Sequence, residues 1–127
     1  MNPLDFSHFL LWTGDLCFVA GLTLMALIST TAAAKIDASA RIPMQFDHKG
    51  QPIWTAPRRF ALLFAPALAA AFGLLLTFLA HRVPTGQLTK EAVSLGTSRV
   101  FMAFTFVLAH LIHLAFAIRW LNKNKLR

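Results

Sequence analysis

His110 and His113 stand three residues apart in the apolar run "VFMAFTFVLAHLIHLAFAIRWL" and are the side chains here with the clearest capacity for chemistry. On a helix that spacing sets them about 60° apart, on the face that also carries Ala103 and Ala117. Neutral imidazole is the commonest metal ligand, so the pair could hold haem, another tetrapyrrole or a metal ion. The competing expectation is two neutral histidines hydrogen-bonded inside a helix bundle. A structural metal site takes about four ligands and a catalytic zinc about three plus water. The other histidines, His8, His48 and His81, fall outside the apolar runs or at their edges. One iron could take an axial ligand from either His110 or His113, but the spacing offers no obvious way for both to bind it. The expectation is therefore no metal and no cofactor, with haem at His110 or His113 as the alternative.

Asp15 is the third ionisable group inside an apolar run. Arg99 opens the run that holds the histidines and is long enough to reach toward it. Asp15 then pairs with Arg99 or with His110; alternatively, Thr13-Gly14-Asp15 starts a helix and Asp15 is a wet first-turn residue at the positive end of the dipole. A proton relay through Asp15 and His110 is conceivable, but an ion-coupled transporter needs more buried charge than this. There is no glycine-rich phosphate loop, nucleophile elbow or paired-carboxylate arrangement. The lone Cys17 excludes an intramolecular disulfide and reads as a small buried hydrophobe. The weight of the sequence falls against an enzyme.

The elements that must position these residues follow from composition. The 127 residues are 57% hydrophobic and 13% charged, with the apolar residues gathered in blocks. A bilayer core of about 30 Å needs ~20 helical residues. Three blocks have that length, at about residues 9–34, 60–80 and 100–121. The sequence predicts an all-α integral membrane protein, a single domain of three transmembrane helices with a Pro/Gly-punctuated interfacial loop between the first two. Ala32-Ala33-Ala34 resembles a cleavage site, but nothing before the first block is basic and the block is longer than a signal core, so a retained span is expected.

The net charge of +7 lies in the connections and the carboxyl tail rather than on a patterned surface, which argues against nucleic acid. Lys35, Arg41, Lys49, Arg58 and Arg59 occupy the first connection, and Arg119, Lys123, Lys125 and Arg127 the end of the chain. The other side has Arg82, Lys90 and Arg99. Nine against three favours the amino terminus outside and the carboxyl terminus inside. Trp12, Trp54 and Trp120 mark expected span ends, and the stretch after Pro84-Thr85-Gly86 is expected to form a short surface helix.

In the second span Ala61, Ala65, Ala69, Gly73 and Thr77 recur every four residues. Such a row lets helix backbones approach closely, within the chain or against a partner. Gly14 and Gly21 offer the same in the first span, and Pro66 should disturb the preceding turn of the second.

The first connection, "RIPMQFDHKGQPIWTAPRR", is the polar exception. Asp47 can bond backbone amides two residues on, Gly50 can take positive φ, and Pro43 and Pro52 stiffen the flanks, making a compact interfacial turn. Phe46 and Trp54 can enter the interface while Arg58 and Arg59 meet lipid phosphates. Over about residues 10–80 the chain resembles the membrane domain of unknown function at the front of SdpI-type bacterial immunity proteins. Pro43, Phe46, Asp47, Gly50, Pro52, Arg58 or Arg59, and Pro66 occupy the matching places, with Gln45 where that family has histidine and Ile53 where it often has Asp. The small-residue row and the structured loop lead to the expectation of a non-enzymatic accessory or sensing subunit of a membrane complex. Its expected partners are membrane lipids and another integral membrane protein or further copies of the chain. A haem- or pigment-binding subunit using His110 and His113 is the second expectation.

Overall fold

The computed structural model describes residues 2–84 and 89–125. In chain order it contains α1 (Pro3–Lys35), β1 (Arg41–Phe46), β2 (Pro52–Pro57), α2 (Arg58–Arg82) and α3 (Lys90–Lys125). All three helices are long and apolar enough to cross a membrane. Each extends beyond the run expected for it, most of all α3, which opens at Lys90 rather than Val100. Thr89 starts it: its hydroxyl accepts the Ala92 amide at 3.1 Å, and Glu91 lies in the first turn where the dipole favours a carboxylate. The expected surface helix is thus the opening of α3, with Gly96 turned inward and Ser94, Thr97 and Ser98 outward. The turn expected at Pro84-Thr85-Gly86 lies, but for Pro84, outside the described residues.

The all-α expectation needs correction between α1 and α2. Residues 41–57 form an antiparallel hairpin rather than an irregular loop, with Ile42 opposite Ala56 and Gln45 opposite Trp54. Two breaks in register, between Pro43 and Gln45 and between Gln45 and Phe46, bend it. Its prolines sit where a missing amide costs little in a two-stranded sheet, which consists of edges alone. At the tip, Asp47 Oδ1 accepts the Lys49 and Gln51 amides, each at 2.8 Å, and Gly50 takes φ 75°. That backbone conformation suits glycine and strains other residues.

Ala32, Ile36, Ile42, Ala61, Leu62, Leu114 and Ala117 form one buried cluster. It lies where the hairpin closes the end of the bundle, drawing on all three helices and β1. Elsewhere the helices meet through small residues. An added Cβ at Gly73 would lie 2.1 Å from the Phe18 ring, so the ring packs against bare α2 backbone. Ala61, Ala69 and Gly73 are buried, which places the small-residue row of α2 against the chain's own helices. The row, with Ala65 and Thr77 half-buried along it, is spent on internal packing. Trp54 lies in β2, and Trp120 near the end of α3, whereas Trp12 is well inside α1 and 70% exposed.

Candidate functional site: polar ties across the helix bundle

Two levels of the bundle carry polar side chains that join all three helices. The first is built on Arg99, whose side chain is only 2% exposed. Its Nη2 donates to an Asp15 carboxylate oxygen on α1 and to Thr77 Oγ1 on α2, the latter at 3.0 Å. Nη1 donates to the Leu11 carbonyl at 3.3 Å. Gly14 makes the room, because a Cβ there would lie 2.4 Å from Arg99 Nη1. Asp15 also accepts from His81 Nε2 at 3.0 Å, and its own side chain is 28% exposed. The cluster thus grades from a buried guanidinium through a half-covered carboxylate to an exposed imidazole. Cavities lie on both sides of Arg99: one beneath the amino-terminal part of α1, the other lined by Phe18, Met25 and Met102.

Of the contacts expected for Asp15, the structure forms the one to Arg99. His110 is elsewhere. Helix α1 begins at Pro3, so Thr13-Gly14-Asp15 does not start it, and Asp15 is held by side chains rather than by a helix terminus. A direct relay from Asp15 to His110 has no connected path among the described contacts.

The second level lies eleven residues further along α3, which is about 16 Å of rise and just over three full turns. It starts from a defect in α2. Pro66 has no amide to donate, so the Leu62 carbonyl four residues earlier loses its helical partner. Ser29 Oγ, from α1, donates to that carbonyl at 2.8 Å. The serine proton is thereby used, so His110 Nε2, 2.8 Å from Ser29 Oγ, must be the donor in that contact. The order of donors is His110 to Ser29 to Leu62. A nucleophile activated by histidine needs the opposite order, with the hydroxyl proton on the imidazole. The trio therefore acts as a splint: it restores the bond that Pro66 forfeits and ties α3 into the repair. Helix α2 runs unbroken through Pro66.

His113 has a different task. Its Nε2 lies 2.8 Å from the Pro43 carbonyl, which can only accept, so the ring donates and fastens β1 to α3. The two histidines, neighbours on one helix, thus point to different elements. Both Nε2 atoms are held by protein groups. Among the described residues no three of His, Cys, Asp and Glu gather as a metal would require.

The hairpin is locked from the other side by Arg58. Its Nη1 donates to the Ala33 and Ile36 carbonyls at 3.0 and 2.8 Å, covering acceptors that the end of α1 leaves free. This corrects the expectation that Arg58 faces lipid phosphate; Arg59, its neighbour, is the exposed one. Gln45 accepts from Trp54 Nε1 at 3.1 Å across the hairpin. Phe46 packs tilted against Phe116, with ring centroids 6.4 Å apart. Pro52 opens β2 opposite Phe46.

No family model, curated protein or solved structure matches this chain. Residues 41–59, the stretch expected to resemble an SdpI-type loop, form a hairpin clamped by Arg58 and His113.

Sequence reasoning missed three participants. Ser29 sits in the polar end of the first run and looks interfacial. Thr77 reads as a small packing residue, and His81 as an edge histidine. The findable signal was Pro66: a proline inside an apolar helix calls for a donor on a neighbour, and Ser29 and Thr31 were the candidates from α1.

Proposed function

We propose that this chain is a three-span integral membrane protein with an SdpI-like front half, acting as a non-enzymatic accessory or sensing subunit that packs against another membrane protein. Support for the membrane comes from its surface. Trp12, Leu16, Phe101 and Phe104 are each about 70% exposed, and such apolar outer faces on three long helices suit lipid rather than water.

The observation that carries the accessory reading is where the polar groups point. Arg99, Asp15, His110, His113 and Arg58 each bond another element of the same chain, so the interior is committed to fixing the bundle. What stays open for recognition is the outside. Between α1 and α3 runs an apolar groove of about 410 Å³, lined by Leu24, Leu27, Thr31, Leu111 and Ala115. Thr31 and Ala115 are small enough to admit a neighbouring helix closely. The graded Arg99–Asp15–His81 cluster, open to solvent at His81, supports a sensing role.

Partner capture tests this. Purified from its native membrane in mild detergent, the protein should bring a second membrane protein or a further copy with it. Ala115→Phe, which fills the groove without touching the polar ties, should release that partner while leaving thermal unfolding unchanged. Isolated monomers from the parent chain, with no complex captured by crosslinking in the membrane, would sink the reading. The haem alternative has His110 Nδ1, buried and without a hydrogen-bond partner among the described residues, as its candidate ligand nitrogen, and an absorption spectrum of the native protein decides it: a visible band supports it and its absence rejects it.

A further inference from the structure

At the end of the bundle where the hairpin lies, a wide cleft of about 650 Å³ opens between the hairpin tip and the last turns of α3. One wall presents His48 and Lys49, the other Arg119 and Lys123. All four side chains are exposed, and none has a side-chain hydrogen bond or ion pair among the described residues. Nearby Lys125, by contrast, is paired with Asp37 at 2.9 Å. Among the described residues the one acid lining the cleft is Asp47, whose Oδ1 accepts the Lys49 and Gln51 amides. Its single negative charge against three permanent cations leaves the cleft at +2.

The cleft is also two-faced. Its base is the tilted pair Phe46 and Phe116, and Phe116 is 56% exposed on the outer surface of α3. Trp120 lines the cleft as well. A free phosphate would use the cations alone. A molecule with a phosphate and an attached acyl chain would use both halves, the chain passing over Phe116 and the phosphate bridging hairpin and helix.

We propose that this cleft binds the phosphate of an anionic phospholipid headgroup, clamped between Lys49 on the hairpin and Arg119 and Lys123 on α3. The proposal rests on the membrane reading above. It gives the hairpin a use: the tip carries one half of a charge clamp whose other half is on α3, and His113 holds the two in register through Pro43.

Trp120 provides the readout. The full chain carrying Trp12→Phe and Trp54→Phe is reconstituted into phosphatidylcholine vesicles doped with brominated lipid, either phosphatidylglycerol or phosphatidylcholine, at equal mole fraction. Bromine quenches a neighbouring indole. Brominated phosphatidylglycerol should quench Trp120 the more strongly, with a severalfold preference that falls toward parity in Arg119→Gln and in Lys123→Gln. Arg59→Gln, outside the cleft, should leave the preference intact. Soluble glycerophosphate at millimolar concentration should not compete; full competition would show a site for free phosphate and overturn the lipid assignment. Equal quenching by the two lipids overturns the proposal while leaving the membrane reading standing, and is also the result expected if an acidic protein segment fills the cleft. Extraction of the chain from vesicles by alkaline carbonate would instead overturn the membrane reading and the proposal with it.

Discussion

At the scale of single residues, Arg99 and Asp15 make an unequal pair. The guanidinium is almost fully enclosed while the carboxylate keeps contact with solvent and with His81. Asp15→Asn keeps an amide oxygen that can accept from Arg99 but removes the countercharge of a buried guanidinium, so it should cost about 3 kcal/mol. Arg99→Met removes the enclosed charge and leaves a carboxylate that water can reach, so it should cost less, about 1 kcal/mol. Combining the two should be milder than Asp15→Asn alone. Unfolding of the four chains in a detergent–denaturant series checks the order; equal costs would show that burial does not set the asymmetry. Gly73 offers an independent residue-scale test. Gly73→Ala drives a methyl into the Phe18 ring and should destabilise by about 2 kcal/mol, with Phe18→Leu in the same chain recovering most of the loss. Gly73→Leu, and Ala69→Leu at another buried position of the same row, therefore report on the fold of the chain before they report on any partner.

At the scale of elements, the Pro66 splint makes a prediction that a plain list of contacts would not. Ser29→Ala strands the Leu62 carbonyl and takes away the His110 partner, and should cost about 1.5 kcal/mol. Pro66→Ala returns an amide to Leu62 from its own helix. In that background Ser29→Ala should cost about 1 kcal/mol less, a coupling readable from a double-mutant cycle. Additive costs would mean that Ser29 does not stand in for the missing bond. The hairpin yields a second contrast between adjacent arginines. Arg58→Gln should speed amide exchange through β1 and β2 by about tenfold, since its loss uncovers the last carbonyls of α1 and frees the start of α2. Arg59→Gln should leave exchange there unchanged. Much of this was legible beforehand. Three long apolar runs announced three helices, and Asp47, His48, Lys49 and Gly50 announced a turn. The strands were not read, although "RIPMQF" and "PIWTAP" flank a five-residue glycine-containing link that signals a hairpin. Prolines at 43, 52 and 57 masked that signal, because proline argues against a strand unless the strand is an edge, and edge status is a property of the folded chain. Arg58 was unreadable for a related reason: nothing local distinguishes it from Arg59, and only the return of the chain past the end of α1 does so.

At the scale of the whole molecule, the structure sharpens the charge argument for orientation. Arg99 is enclosed with Asp15, so it is not available to a loop. The side that holds the α2–α3 connection keeps Arg82 and Lys90, and Arg82 already lies over the Phe78 ring at 5.1 Å. The opposite end gathers the end of α1, the hairpin and the end of α3 in direct contact, through Arg58, His113 and the Lys125–Asp37 pair. Basic residues that the sequence distributes between two distant segments are thus collected at one pole. If the positive-inside rule governs insertion, that pole is cytoplasmic. A green fluorescent reporter fused to the carboxyl terminus should fluoresce, and alkaline phosphatase fused at the same point should be inactive. The pattern should hold in Arg99→Met, because that charge is internal. It should weaken when Lys35, Arg41 and Arg59 are replaced together by Gln, since these three residues contribute charge at that pole, none of which fixes α1 to α2. A dark fluorescent fusion expressed at full level, with an active phosphatase, would reverse the orientation and carry the basic cleft to the outer leaflet.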